Sequence, residues 1–332
     1  MVKISDSTID TSIDKKMGEE KDHSYSKPSE PFAQNPISNA KYLNPCPQID
    51  LIYSKPDGKM RKVKPIKNGN FEVVSDNKKM YVLQNTAPYD AIFNVMASSF
   101  QNFKGFNTYC NEVCKDNFFR SVCEYGKNGI FKDFENTRFL ILRKMQENLN
   151  SNDIISCNEK VSHYFAKLMG ENYSLSVSWE CEGCRIQKKS NHNFVQCQFK
   201  VTQEILNSKY FVSDLINYYG NNKVGCTSCG QGVYLKCTLH YNYVAIDMEH
   251  LDTEIDLYQV QTNFIHNTKT YVLSGAIEFK VSPITGNIDY TAYCRSVKGF
   301  WSRKTSGFKL FYNIPKTKCT IKIAMLIYVI AD

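Results

Sequence analysis

The sequence lacks any apolar run long enough to span a bilayer. Its longest, Ile323 to Ala331, is well short of the roughly 20 residues a membrane helix needs and suits a buried strand. The N-terminal stretch MVKISDSTIDTSIDKKMGEEK has no apolar segment of the kind a secretory signal carries. These absences predict a cytoplasmic or nuclear protein with no membrane partner. No internal repeat is visible. A strong charge bias is missing too: 41 Lys and Arg against 33 Asp and Glu leave a net charge of +8. That excess does not by itself imply nucleic acid, and it serves an acidic or neutral protein partner equally well.

What is present describes an ordinary globular chain. Of 332 residues, 42% are hydrophobic and 22% charged, enough for one large domain or two small ones. Aromatics reach 13%, with 21 Tyr and 20 Phe, which favours a strand-rich half. Residues 1–45, rich in Ser, Asp, Lys, Glu, Asn and Pro, cannot offset their own ordering entropy and read as a disordered tail. Residues 46–79 form a basic lead-in whose densest run is Lys55 to Lys67. It reads first as a solvated loop. Contact with RNA or an acidic partner is the second reading, and no aromatic within the run supports base stacking.

From residue 80 the pattern changes. Pro88 to Phe103 carries Ile92, Phe93, Val95 and Met96 at helical spacing, and Pro88 suits a first turn. Phe131 to Asn150, with Phe134, Phe139, Leu140, Leu142 and Met145, is a second expected helix, and 158–169 a third. From Ser174 onward, β-branched and aromatic stretches separated by Gly, Asn and Pro predict short strands. Helices followed by strands predict an α+β fold rather than alternating units.

The 13 Cys in a reducing compartment are expected to be mostly free thiols. Four stand apart. Cys181 and Cys184 make one C-x-x-C, and Cys226 and Cys229 a second, both beside small or turn-forming residues such as Gly183, Gly225, Ser228 and Gly230. Two such knuckles supply the four thiolates that structural zinc prefers, and a closed four-sulfur shell leaves no open position for a substrate. A β-ribbon is expected to fold back between them. For either knuckle alone a thioredoxin-like redox pair is the alternative, although a βαβ setting is missing. Cys110, Cys114, Cys123 and Cys237 read as packing residues.

Three features occur in order: Gln84 to Pro88 (QNTAP) opening a helix, the paired Cys knuckles, and Tyr271 to Phe279 followed by Asp289 to Arg295 (DYTAYCR) and Trp301. This order resembles the ubiquitin-specific proteases, a family of papain-like cysteine proteases, over about residues 78–332. The resemblance implies a papain-like α+β fold. It comprises a helical thumb over about 80–170, a zinc-ribbon finger over about 175–240 and a β-sheet palm over about 241–332.

The resemblance also implies that the chemistry is gone. The family's nucleophilic Cys falls on Ala87, and a methyl group cannot form an acyl-enzyme. The His that takes its proton falls on Asp289, a poor acceptor at neutral pH and repulsive to a thiolate. The residue that orients the His falls on Thr305, and the oxyanion-donating Asn falls on Val82. His163, His192, His240, His250 and His266 have no motif context that would rescue activity. The expectation is a catalytically inactive binding or scaffold module for ubiquitin or a ubiquitin-like protein, holding structural Zn2+ through Cys181, Cys184, Cys226 and Cys229. Two alternatives stand beside it. One is a scaffold in a protein or ribonucleoprotein complex without ubiquitin binding. The other is a residual deubiquitinase with a non-standard site.

Overall fold

A computed structural model describes residues 71–332, apart from 77–78, 114, 130–133, 147–153, 158, 198–202, 222, 240–241, 252–253, 282–287, 305–311 and 314–318. The chain divides into two units, Met1–Met60 and Arg61–Asp332. The first lies wholly outside the described residues, so the expected tail falls outside them, as do the basic run Lys55–Lys67, Thr305, Cys114 and His240.

The second unit begins with β1 (Phe71–Asp76) and β2 (Lys79–Gln84), an antiparallel pair. Four helices follow: α1 (Ala87–Asn102), α2 (Lys104–Glu112), α3 (Asn117–Asn128) and α4 (Phe134–Met145). The short β3 (Ile154–Ser156) then adds in parallel to β2, and α5 (Val161–Met169) closes this half. Three of these helices match the expected ones to within a few residues. The helices α2 and α3 were not expected, although Asp116 caps α3 by accepting from the Phe118 N–H.

The second half opens with β4 (Leu175–Glu180), β5 (Gln187–His192) and β6 (Val195–Gln196). The helices α6 (Gln203–Asn207) and α7 (Phe211–Asn221) follow. Next come β7 (Lys223–Gly225), β8 (Gly232–Tyr234), β9 (Lys236–Leu239) and β10 (Tyr243–Asp247). The segment between the Cys knuckles is therefore more than a ribbon. Its helix α7 buries Phe211, Val212, Leu215 and Ile216, an i, i+1, i+4, i+5 stripe that the sequence shows plainly. The remaining strands are β11 (Glu254–Asp256), β12 (Asn263–His266), β13 (Lys269–Val281), β14 (Ile288–Arg295), β15 (Trp301–Lys304), β16 (Tyr312–Asn313) and β17 (Thr320–Ile330).

The long strand β17 organises the whole. It pairs with β13 on one side and β10 on the other, in a nine-stranded sheet of order β16-β15-β14-β13-β17-β10-β6 to which β11 and β12 add. Every residue from Ile323 to Ile330 is buried, as a central strand covered on both faces requires. From Met325 to Val329 the period of two sorts the side chains into two cores. Met325, Ile327 and Val329 face the cluster that contains the buried sides of α1–α5. Leu326 and Tyr328 face the cluster that contains Leu206, Phe211, Val212 and Leu215 of α6 and α7. One sheet thus has helices on each face, giving a mixed helix and sheet architecture. Among the described residues no helix is long and apolar enough to cross a membrane.

The helix α1 lies directly on the sheet because β13 carries a glycine beneath it. A Cβ at Gly275 would sit 2.4 Å from Cγ1 of Val95 and 3.0 Å from the Tyr293 carbonyl oxygen, and the ladder with β17 is irregular at this point. Gly275→Ala is expected to cost about 1–3 kcal/mol through overpacking, and Val95→Ala in the same chain should recover part of it. Urea unfolding of the two variants checks this. Equal stabilities of wild type and Gly275→Ala would show that the helix has room to move away.

Candidate functional site

The N-terminus of α1 is built from the stretch that carries the first motif. Val82 lies mid-strand in β2, paired with Val73 and Ile154. Asn85 has φ 54, the left-handed conformation that Asn tolerates better than most residues, and so turns the chain from strand to helix. Ala87 is the first helical residue, with Pro88 behind it, where a missing N–H costs nothing. Ala87 is only 3% exposed and belongs to the core of the helical face.

One turn in, Asp90 is 0% exposed and paired with Arg138 of α4, itself 1% exposed. Nε of Arg138 donates to Oδ1 at 2.8 Å and Nη2 to Oδ2 at 2.8 Å, a two-pronged contact. The Thr86 hydroxyl donates to Oδ2 of Asp90 at 2.7 Å and accepts from Nη2 of Arg138 at 2.5 Å. The helix start is therefore clamped to α4 by a dry, hydrogen-bonded ion pair. Nothing local in the sequence marks this pair, whose members are 48 positions apart. Cys157, whose thiol burial pushes up to about 12, lies buried close by and is inert as a nucleophile.

The second motif lies on β14. Asp289 is exposed near the open end of that strand, opposite Lys280 in register. It accepts from the Tyr290 N–H at 3.0 Å. Partial desolvation raises its carboxyl pKa from the ordinary value, against the opposing pull of that N–H and of Lys280 and Arg303. Alternation along β14 turns Tyr290, Ala292 and Cys294 to the α1 side, where the Cys294 thiol donates to the Asn94 carbonyl at 3.5 Å. Asp289 shares the opposite face with Thr291 and Tyr293. The charged groups acting on it are thus those of the sheet itself.

The two motif tyrosines have a structural task that the sequence does not disclose. Tyr290 donates its hydroxyl to Oε1 of Glu249 at 3.0 Å on one face, and Tyr293 donates to Oε2 of Glu278 at 3.0 Å on the other. Both carboxylates are buried, at 8% and 4% exposure, and burial raises the pKa of Glu249. The strand β14 is thereby fastened on both sides by hydrogen bonds inside a low-dielectric sheet.

The four knuckle cysteines come together. Their sulfurs lie within 4.8 Å of one another, with Cys181 to Cys229 and Cys184 to Cys226 each at 3.5 Å. Zinc–sulfur bonds of about 2.3 Å in a tetrahedron demand sulfurs about 3.8 Å apart, so the group can hold a metal ion. The two knuckles repeat one backbone plan. Arg185 N–H donates to the Cys181 carbonyl and Gly230 N–H to that of Cys226. Arg185 and Gly230 both have positive φ, 59 and 72. Cys181 N–H and Cys226 N–H each donate to the carbonyl five residues on, at Ile186 and Gln231. Backbone N–H groups of Cys229 and Ser228 facing the Cys226 sulfur bring its pKa down to about 6. The local core is small: Cys181, Cys226 and Val233, with Trp179, Cys184 and Val224 against it.

Of the other residues singled out in the sequence, Cys110 and Cys123 are buried packing residues and Cys237 is half-buried. His163, His192 and His250 are exposed and His266 is half-buried.

No protein-family model matches the chain. The fold resembles the Ubp8–Sgf11–Sgf73–Sus1 SAGA DUB module at 13% identity and a TM-score of 0.44, covering 74% of this chain and 66% of that one. It also resembles the Saccharomyces cerevisiae PAN2 pseudoubiquitin-hydrolase at 10% identity and a TM-score of 0.39, covering 75% of this chain and 87% of that one. Likeness of this degree decides nothing about chemistry. Among curated proteins, the 120.7 kDa protein in the NOF-FB transposable element of Drosophila melanogaster is 22% identical over 305 residues, which is 87% of this chain. The chain spans 29% of that relative's length.

Proposed function

We propose that this chain is a catalytically silent counterpart of the ubiquitin-specific proteases that works by binding ubiquitin or a ubiquitin-like protein. In this reading the helices α1–α5 serve as thumb, the knuckle-bearing strands as finger and the large sheet as palm. The observation that carries the proposal is the character of the α1 N-terminus. The first helical residue, where the helix dipole would stabilise a thiolate, is a buried methyl group. The groups around it, Thr86, Asp90 and Arg138, are engaged with one another. By motif position Asp289, Thr305 and Val82 are the degenerate counterparts of base, orienting residue and oxyanion donor, although Asp289 lies on the face of β14 turned away from α1 and does not meet position 87. What folding needs is kept: the four cysteines, proposed to hold structural Zn2+, and the Tyr290 and Tyr293 anchors of β14. Zinc there would cross-link the two knuckles and supply no chemistry. The free thiols suit a reducing compartment, cytoplasm or nucleus.

Purified protein is expected to bind monoubiquitin, or a ubiquitin-like protein, saturably in calorimetry and to leave diubiquitin uncut over a day. Cleavage by the unmodified chain would end the inactive reading in favour of a residual deubiquitinase. Absence of binding to ubiquitin and its relatives would end the binding reading. The net charge of +8 is compatible with the scaffold alternative as well as with a protein partner and does not choose between them. Retention on RNA that weakens as salt rises, without ubiquitin binding, would select the scaffold.

A further inference from the structure

Gln231 follows the second knuckle and touches three of its neighbours' ligands at once. Its backbone carbonyl accepts from the Cys226 N–H at 2.8 Å. Its backbone N–H faces the Cys229 sulfur. Its side chain reaches across to the other knuckle, where Oε1 lies 3.7 Å from Sγ of Cys181. The space that the amide occupies is open because position 183 is glycine. A Cβ at Gly183 would lie 2.1 Å from Oε1 of Gln231, well inside contact distance. Gly225, the glycine beside the second knuckle, is different: a Cβ there would meet only the Gly230 carbonyl oxygen, at 3.8 Å, an ordinary contact.

We propose that Gln231 is the positioning residue of the four-cysteine site, seating one knuckle on the other and hydrogen-bonding the Cys181 sulfur, with Gly183 kept small to admit it. The inference rests on the reading of the cluster as a metal site. With thiols present, the Cys181 S–H donates to the amide oxygen. A metal-bound thiolate would call for a donor in place of that acceptor, and the NH2 end of the same amide could supply one. An amide has both a donor and an acceptor, so Gln serves both states, whereas Glu or Ala does not. Partners of this kind outside the ligand shell change metal affinity by about 10–100-fold when removed.

The test measures zinc affinity of the full chain by competition with a chromophoric chelator, with circular dichroism confirming the fold of each variant. Gln231→Ala is expected to lose about 10–100-fold, and Gln231→Glu, which puts a carboxylate beside the sulfur, at least as much. Gly183→Ala should lose a similar factor because its methyl evicts the amide. The double variant should be no worse than the weaker single one to within about twofold, since both remove one contact. Gly225→Ala is the control and should stay within about twofold of wild type. Wild-type affinity in Gln231→Ala, multiplicative losses in the double variant, or an equal loss in Gly225→Ala would overturn the role of Gln231 while leaving the metal site intact. A wild-type chain that holds no zinc would overturn both.

Discussion

Replacing Cys226 by Ser is expected to abolish tight zinc retention and unravel the region around the knuckles while the large sheet stays folded. The physical reason is the size of the local core. Three buried residues, Cys181, Cys226 and Val233, cannot offset the ordering entropy of β7, β8, both knuckle loops and the outer ends of β4 and β5. Structural zinc supplies on the order of 10 kcal/mol in such settings. The loss should be local because the inner ends of β4 and β9 belong elsewhere: Leu175 and Leu239 pack in the same cluster as α7. Hydrogen exchange is the measurement. Amides of Lys223–Gly225, Gly232–Tyr234 and Trp179–Gln187 should lose protection in Cys226→Ser or after chelation, and those of Tyr243–Asp247 and Thr320–Ile330 should keep it. Unchanged protection around the knuckles in a zinc-free chain would show that the metal is dispensable for the fold.

Asp90→Ala is expected to destabilise the whole second unit by about 3–5 kcal/mol, because it removes the buried carboxylate that holds the Arg138 guanidinium, itself 1% exposed, and leaves the more distant, solvent-facing carboxylate of Glu135 at 3.5 Å to partner it. The Thr86 hydroxyl also loses its acceptor. Removing both charges should cost much less than removing one. Asp90→Leu combined with Arg138→Met leaves no buried ion, and apolar replacements of buried pairs are often neutral. Equilibrium urea unfolding of the single and double variants gives the comparison. If Asp90→Ala costs under about 1 kcal/mol, water reaches Arg138 and the clamp at the start of α1 is not dry. The clamp holds the start of α1, where Ala87 is buried, against α4.

The thiol chemistry of the knuckles shows how closely sequence and structure agree where contacts are local. Two C-x-x-C pairs with Gly neighbours announced a four-sulfur cluster, and the sulfurs do converge. The matching hydrogen-bond plan of the knuckles follows from spacing alone, since each bond joins residues four or five apart. The helix α7 was equally legible in its apolar stripe but was absorbed into an expected ribbon, because a metal site at both ends of a segment suggests a simple strand return. The clamp of Asp90 and Arg138, the tyrosine anchors of β14 and the amide of Gln231 were not legible. Each joins side chains that are far apart in the chain or carries no spacing signal, and a polar residue in a helix or strand looks the same from sequence whether it is solvated or buried in a pair.

Taken alone, the residues determined that position 87 carries no nucleophile, that the run Ile323–Ala331 is apolar and so suits a buried strand, and that two cysteine pairs can form one four-sulfur cluster. Those conclusions rest on chemical identity and short-range period, which the chain carries locally. Only the tertiary structure decided which face of β14 each motif residue takes, which charges neutralise one another in the core, and that one sheet serves two cores. Those depend on strand register, where a shift by a single residue would exchange the two faces, and register is set by the packing of the whole molecule.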